Sequence, residues 1–329
     1  MEESAGEATA PRGRLPGCRM LNRPGRYWLR RTLRLPMPWT ATLGAARSLL
    51  FLSAGLTYLL SPTTVLFTPV DGALPGRCAA SVHWMAWPCW LPEGVVAGGQ
   101  ATAGVLCLIA ASGWFPALTA VPMAVLLIAL PLTSAAPDGG DQLAGILGLL
   151  LLPVSLTDWR RTSWTAVQPE RALGARVLVA YSALALAKLQ IAIVYLVACL
   201  GKLSSAEWVN GTALFYWVRN NVFGAPPLLR PVAEWVTMRP VLVAASSWGT
   251  LVLEFSLAIA VLLPTPFRLR ILLPIALLFH LAIWLVLGVS SFAFVMGAAL
   301  LILVVPVGWS LVRPRMYRIR SGREKETPV

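Results

Sequence analysis

The stretch LGARVLVAYSALALAKLQIAIVYLVACLGKLSSAEWVNG, residues 173–211, decides how this chain folds. Its first part, 173–200, is an apolar run longer than the roughly 20 residues that a helix needs to cross about 30 Å of hydrocarbon. Yet it carries Lys188 in its interior, reaches Lys202 fourteen residues later, and then opens onto Trp208 and Gly211. A membrane helix tolerates such lysines only if they find a partner, a cavity or the headgroup layer.

The rest of the sequence agrees with a membrane reading. A length of 329 residues alone would suit two soluble domains, but 57% of residues are apolar and only 12% charged, with a mean hydropathy of +0.71. That balance marks an integral membrane protein. Eight apolar runs qualify as spans, near 41–60, 93–111, 116–135, 141–157, 173–200, 241–263, 270–288 and 291–309. The predicted fold is therefore all-α, a polytopic transmembrane helix bundle of about eight spans. Residues 37–312 form the transmembrane domain, between a disordered basic tail at 1–36 and a second basic tail at 313–329. The first apolar run starts after about forty residues and is of full membrane length, so no cleavable signal peptide is expected.

Charge orients the bundle. With the N-terminus inside, twenty Lys and Arg fall on the cytoplasmic side and only Arg77, Lys202, Arg219, Arg230 and Arg239 outside. The positive-inside rule then puts both termini in the cytoplasm of a cell-membrane protein. The net charge of +13 sits mostly on these flanks, which suits anionic membrane lipid as a partner. No groove-reading motif accompanies it, so nucleic acid is not expected.

Two outer loops are long, 61–92 and 201–240, which places the working surface outside. In the second, Ser204 and Glu207 have capping-box spacing, and Trp208, Phe215, Tyr216 and Trp217 follow. Interfacial helices are expected there, with another near Pro231–Met238. In the first, Cys78 and Cys89 are expected to form a disulfide, two free thiols among tryptophans being the alternative.

Six ionisable residues lie where charge is costly: Arg47, Asp141, Lys188, Lys202, Glu254 and His280. Counted from the run ends, Lys188 and Glu254 come out about 18 and 20 Å deep, and Arg47 and His280 fall near the same level. A buried polar network of Arg47, Lys188, Glu254 and His280 is therefore expected, either holding helices together or serving a ligand or proton. Lys188, Tyr195 and Lys202 are seven residues apart in turn, so they share one helix stripe. Lys202 reaches the outer end beside Asp141, where it acts as a base in a cavity mouth or snorkels to headgroups. No metal-ligand cluster, phosphate-binding glycine loop or nucleophile elbow is present, and paired halves with interrupted spans, the mark of a transporter, are not seen.

The segment Tyr195 to Gly211, with its Lys-Leu, Trp and Gly, resembles the signature of the HTTM (horizontally transferred transmembrane) domain shared with vitamin K-dependent gamma-glutamyl carboxylase. The motifs Pro38 to Leu49 with Arg47, Gly139-Gly-Asp141-Gln142, Leu189-Gln190 through Lys202, Trp248 with Glu254, and Phe279-His280 resemble the sporulation-delaying protein B family of bacteria. This resemblance implies that Lys202 and Asp141 are catalytic, with Trp208, Gly211, Tyr195 and Gln142 lining a pocket. In the carboxylase the lysine matching Lys202 is the proposed base toward reduced vitamin K, which would make the cofactor quinone-type. The carboxylase has a histidine where this chain has Asp141, and few residues follow the last span, so glutamate carboxylation is not expected. The sporulation-delaying branch implies maturation or export of a secreted toxin peptide, with a peptide precursor and a small partner protein encoded nearby. An enzyme with a quinone-type cofactor and Lys202 as base is the second expectation.

Overall fold

The structure, a computed structural model, describes residues 36–67, 84–134, 137–166, 174–220 and 224–310, without the Glu93 side chain. The two expected tails, apart from Pro36, and Cys78 lie outside the described residues. Among those described there is no strand, and one isolated bridge joins Trp114 to Thr162.

Eight helices correspond to the eight apolar runs. They are α1 Ala41–Leu60, α2 Val96–Ala111, α3 Pro116–Thr133, α4 Gly139–Leu150, α5 Gly174–Leu203, α6 Pro240–Ala258, α7 Thr265–Leu287 and α8 Ser290–Val304. Local chemistry sets several ends. Thr40 accepts from the Leu43 N–H to cap α1, and Asp138 accepts from the Asp141 N–H at 2.7 Å to cap α4. Gly288, at φ 73°, closes α7 in the left-handed conformation that glycine adopts freely.

The helices matching the expected spans, about eight in number, differ in length. Only α1, α3, α5, α6 and α7 are long and apolar enough to cross a membrane. At 15 residues, α8 rises about 22 Å, short of the hydrocarbon thickness. It is buried nearly all round from Val295 to Val304 and packs against α1, α4, α5 and α7, so it is the central post of the bundle. A helix enclosed by others need not match the lipid. The 16-residue α2 packs on α1 through small residues: a Cβ on Gly104 would sit 2.5 Å from Leu59 Cγ and 3.3 Å from the Gly55 carbonyl oxygen.

Buried polar groups are bonded across helices. Tyr58 donates to the Leu126 carbonyl and accepts from Trp87 Nε1, while Gln100 Nε2 donates to the Tyr58 and Ser61 carbonyls. On α5, Ala180, Leu184, Ala187, Ile191, Tyr195 and Cys199 form the buried stripe, and Leu186, Leu189, Ile193, Val197 and Leu200 are exposed toward the lipid side. Pro36 approaches Gly308 and receives the Tyr181 hydroxyl, so the first and last described residues share one end of the bundle, called here the near face.

Three short helices, Ala206–Val209, Ala213–Val218 and Arg230–Thr237, occupy the 201–240 loop at the opposite, far face. The capping box does not form. Ser205, not Ser204, precedes the first of these helices without a side-chain cap bond, and Ser204 instead donates back to the Gly201 carbonyl at 2.7 Å. Ser204 directly follows the last turn of α5, whose free carbonyls compete for its hydroxyl.

Candidate functional site

The far end of α5 brings a cation against a carboxylate. Lys202 Nζ donates to Glu254 Oε1 of α6 at 2.7 Å, with side-chain exposures of 24% and 8%. The ammonium lies in the last turn of α5, where the helix dipole also favours positive charge. On its other side it stands 5.3 Å from the centre of the Trp208 ring.

The residues after Lys202 hold that tryptophan in place. Trp248 of α6 donates to the Val209 carbonyl, and the Leu214 N–H reaches the Ser247 hydroxyl. Gly211 sits between them at φ 72°, where a Cβ would lie 3.1 Å from Ala244 Cβ and 3.2 Å from Trp248. The backbone angle favours glycine here, and the tight space adds to that preference.

Below this pair lies a second one. The Tyr195 hydroxyl and His280 Nε2 are 3.1 Å apart, both buried, and His280 is ringed by Tyr195, Phe279 and Phe292. Glu254 interacts electrostatically with Tyr195, and Lys202 with His280, so the two pairs form one cluster on α5, α6 and α7. Two of its buried atoms, Glu254 Oε2 and His280 Nδ1, have no hydrogen-bond partner. The cluster thus offers a charged acid–base couple, a neutral hydroxyl–imidazole couple and two spare polar atoms.

The expected network of Arg47, Lys188, Glu254 and His280 is not one network. Lys188 Nζ donates to the Leu303 and Val305 carbonyls at 2.9 and 2.8 Å, capping the C-terminus of α8. Arg47 reaches the Ser163 hydroxyl and the Pro116 carbonyl near the opposite end of its helix from Tyr58. Counting depth from the ends of apolar runs assumes that all runs are centred on one plane. The 30-residue α5 is about 45 Å long, and Lys188, in its middle, lies level with the end of α8. Glu254 is therefore left for Lys202.

Asp141 does not pair with Lys202 either. It is buried on α4, and the two ion pairs among the described residues are Lys202 with Glu254 and Arg160 with Asp158. The neighbouring Asp138 organises that end by accepting from Ser291. Gln142 is exposed on α4. Cavities of about 30 and 10 Å³ adjoin Lys188 and Arg47 respectively, and neither is lined by Lys202, Asp141 or Trp208. Cys89 is disulfide-bonded, whereas Cys107 and Cys199 are free.

Comparison with known proteins places this cluster in context. The chain is 28% identical over 286 residues to the uncharacterized protein YitO of Bacillus subtilis (strain 168), covering 82% of this chain and 87% of the relative. It is also 28% identical over 277 residues to sporulation-delaying protein SdpB of the same organism, covering 82% of this chain and 83% of the relative. No solved structure matches it. The family model of the HTTM domain matches residues 143–309, a stretch that contains Lys188, Tyr195, Lys202, Trp208, Gly211, Glu254 and His280. A bundle of apolar helices that carries this polar cluster on α5, α6 and α7 is thus a multi-pass membrane protein, and the chain belongs to the HTTM domain family.

Proposed function

We propose that this protein aids the maturation or export of a secreted antimicrobial or toxin peptide from the cell membrane, with both termini cytoplasmic and the Lys202 cluster facing outward. The observation that carries the reading is the Lys202–Glu254 pair under Trp208, with an unpartnered carboxylate oxygen beneath it. A partly exposed ammonium beside an aromatic face, backed by a spare acceptor, suits a peptide's polar backbone or carboxylate at the bilayer surface. Similarity to a protein named for sporulation delay supports the peptide as substrate. A precursor peptide and a small partner protein encoded nearby complete the proposed system. Asp141 and Gln142, at the start of α4, are assigned to the substrate path rather than to the charge pair.

A second reading is an enzyme using a quinone-type cofactor with Lys202 as base. Glu254 Oε2 and His280 Nδ1 favour it, since a quinol offers two oxygens able to bond such groups. Against it stands the ion pair itself, which already engages the Lys202 ammonium with Glu254 Oε1 at 2.7 Å.

The test is Lys202→Met in the native host, reading the mass of the secreted neighbour-encoded peptide beside the amount of folded membrane protein. Loss of mature peptide at normal protein level supports the site. Unchanged peptide reduces Lys202 to an anchor, and loss of quinone-dependent turnover with intact peptide favours the second reading.

A further inference from the structure

At the near face, far from the Lys202 cluster, two loops are fastened together. Trp114 and Thr162 form the antiparallel bridge, Phe115 N–H donates to the Arg161 carbonyl at 2.8 Å, and Ser163 N–H to the Gly113 carbonyl at 2.8 Å. Trp164 Nε1 adds a bond to the Ser112 carbonyl. Phe115 is held at φ 43°, a left-handed conformation that residues other than glycine rarely adopt. The result is a rigid ledge that presents Trp114 at 63% exposure, Trp159 at 71%, and Phe115 and Trp164 beside them.

Four arginines converge on this ledge. Arg160 grips Asp158 with two bonds of 2.7 Å and spends a further nitrogen on the Ser163 and Thr165 carbonyls. Arg176 lies between the Trp39 and Trp159 rings and donates to the Thr157 carbonyl. Arg47, buried behind the ledge, bonds Ser163 and interacts with the charges of Asp158 and Arg160. Arg161 is exposed, with no side-chain bond. Among the described residues Asp158 is the one carboxylate found with them, and it is already saturated by Arg160.

A positive excess of this kind, partly withdrawn from water, calls for an external anion. Exposed tryptophans beside it select the membrane interface, where the ring sits among headgroups. We infer that this ledge is a binding site for the headgroup phosphate of an acidic membrane phospholipid, with Arg161 as its free ligand and Trp114 and Trp159 as its walls. Guanidinium groups bind such oxygens in paired bonds, and the flanking rings exclude water from them. The site is independent of the Lys202 cluster and of the peptide reading.

The test offers phosphatidylglycerol and phosphatidylcholine in competition to the purified full chain in detergent and counts retained lipids by native mass spectrometry. Preferential retention of phosphatidylglycerol is expected. Arg161→Gln should lower it about fivefold, the factor for one arginine near a charged headgroup. Trp114→Leu, which leaves the charge intact, should lower it too, and Arg239→Gln at the far face should not. Arg161 and Trp114 are both exposed, so neither variant disturbs the core. Equal retention of the two lipids, or undiminished retention in Arg161→Gln, overturns the inference. Displacement of the lipid by excess inorganic phosphate overturns it as well, in favour of a free-anion site.

Discussion

Lys202 and Glu254 meet at 2.7 Å across the seam between α5 and α6, although fifty-two residues separate them in sequence. The lysine keeps a quarter of its surface exposed while the glutamate is nearly enclosed. Removing either partner is therefore not equivalent, because a stranded lysine can reach water and a stranded glutamate cannot.

Lys202→Ala is expected to lower stability by on the order of 1–3 kcal/mol, the penalty for a buried acceptor left unpaired. Replacing both residues, Lys202→Met with Glu254→Leu, should recover most of that loss, since an apolar pair of similar volume often matches a buried ion pair. Thermal unfolding in detergent measures the recovery, and the mass of secreted peptide measures function. Recovered stability without recovered peptide separates the working role of the pair from its structural one.

The Tyr195–His280 contact invites a double-mutant cycle. Tyr195→Phe strips one hydroxyl and leaves His280 Nε2 buried without its partner. A coupling of about 0.6 kcal/mol, up to about 1.7, is typical of hydrogen bonds between membrane helices. A cycle with His280→Phe should return a value in that range, and a coupling near zero would mean that the two side chains merely touch.

Lys188 should behave in the opposite way to Lys202. Lys188→Met removes the ammonium that satisfies the Leu303 and Val305 carbonyls at the end of the central helix. A drop in stability of about 1–2 kcal/mol is expected, with peptide output per folded molecule unchanged. Parallel measurement of folded yield and secreted peptide checks both halves of that statement.

Gly211→Ala tests the far-face scaffold. The left-handed backbone strains a methyl group, and the 3.1 Å approach to Ala244 Cβ forces its neighbours to give way by a few tenths of an ångström. A cost of about 1–3 kcal/mol follows from strain at such a site, and Trp208 should be displaced from Lys202. Loss of peptide output with a shifted tryptophan emission is the expected pair of readings, and an unshifted spectrum with full output would argue that Gly211 is dispensable.

For the disulfide at Cys89 we propose Cys78 as the partner. Peptide mapping without reductant should recover the two joined, with Cys107 and Cys199 alkylated as free thiols. Cys89→Ser should then cost about 3 kcal/mol on a chain-entropy estimate.

How much was legible beforehand differs between fold and site. The apolar runs near 41–60, 116–135, 173–200, 241–263 and 270–288 coincide with the five long helices to within a few residues, because run length and composition are local properties. The enclosure of α8 was not legible, since its run looks like any lipid-facing one. The stripe of Lys188, Tyr195 and Lys202 follows from helical spacing and does face inward at Tyr195. Its partners did not follow, and neither did the arginine ledge, whose members come from α1, α5 and two loops with no shared motif.

The sequence by itself determined that this is a multi-pass helical protein and which charged residues the bilayer would force to find partners. Only the tertiary structure decided who those partners are. Pairing depends on how far each helix slides along its axis, and that offset is set by packing among many side chains rather than by any one run of residues. An offset of about four turns along α5, the spacing from Lys188 to Lys202, moves Lys188 from a presumed midplane network to the end of α8 and brings Lys202 to Glu254.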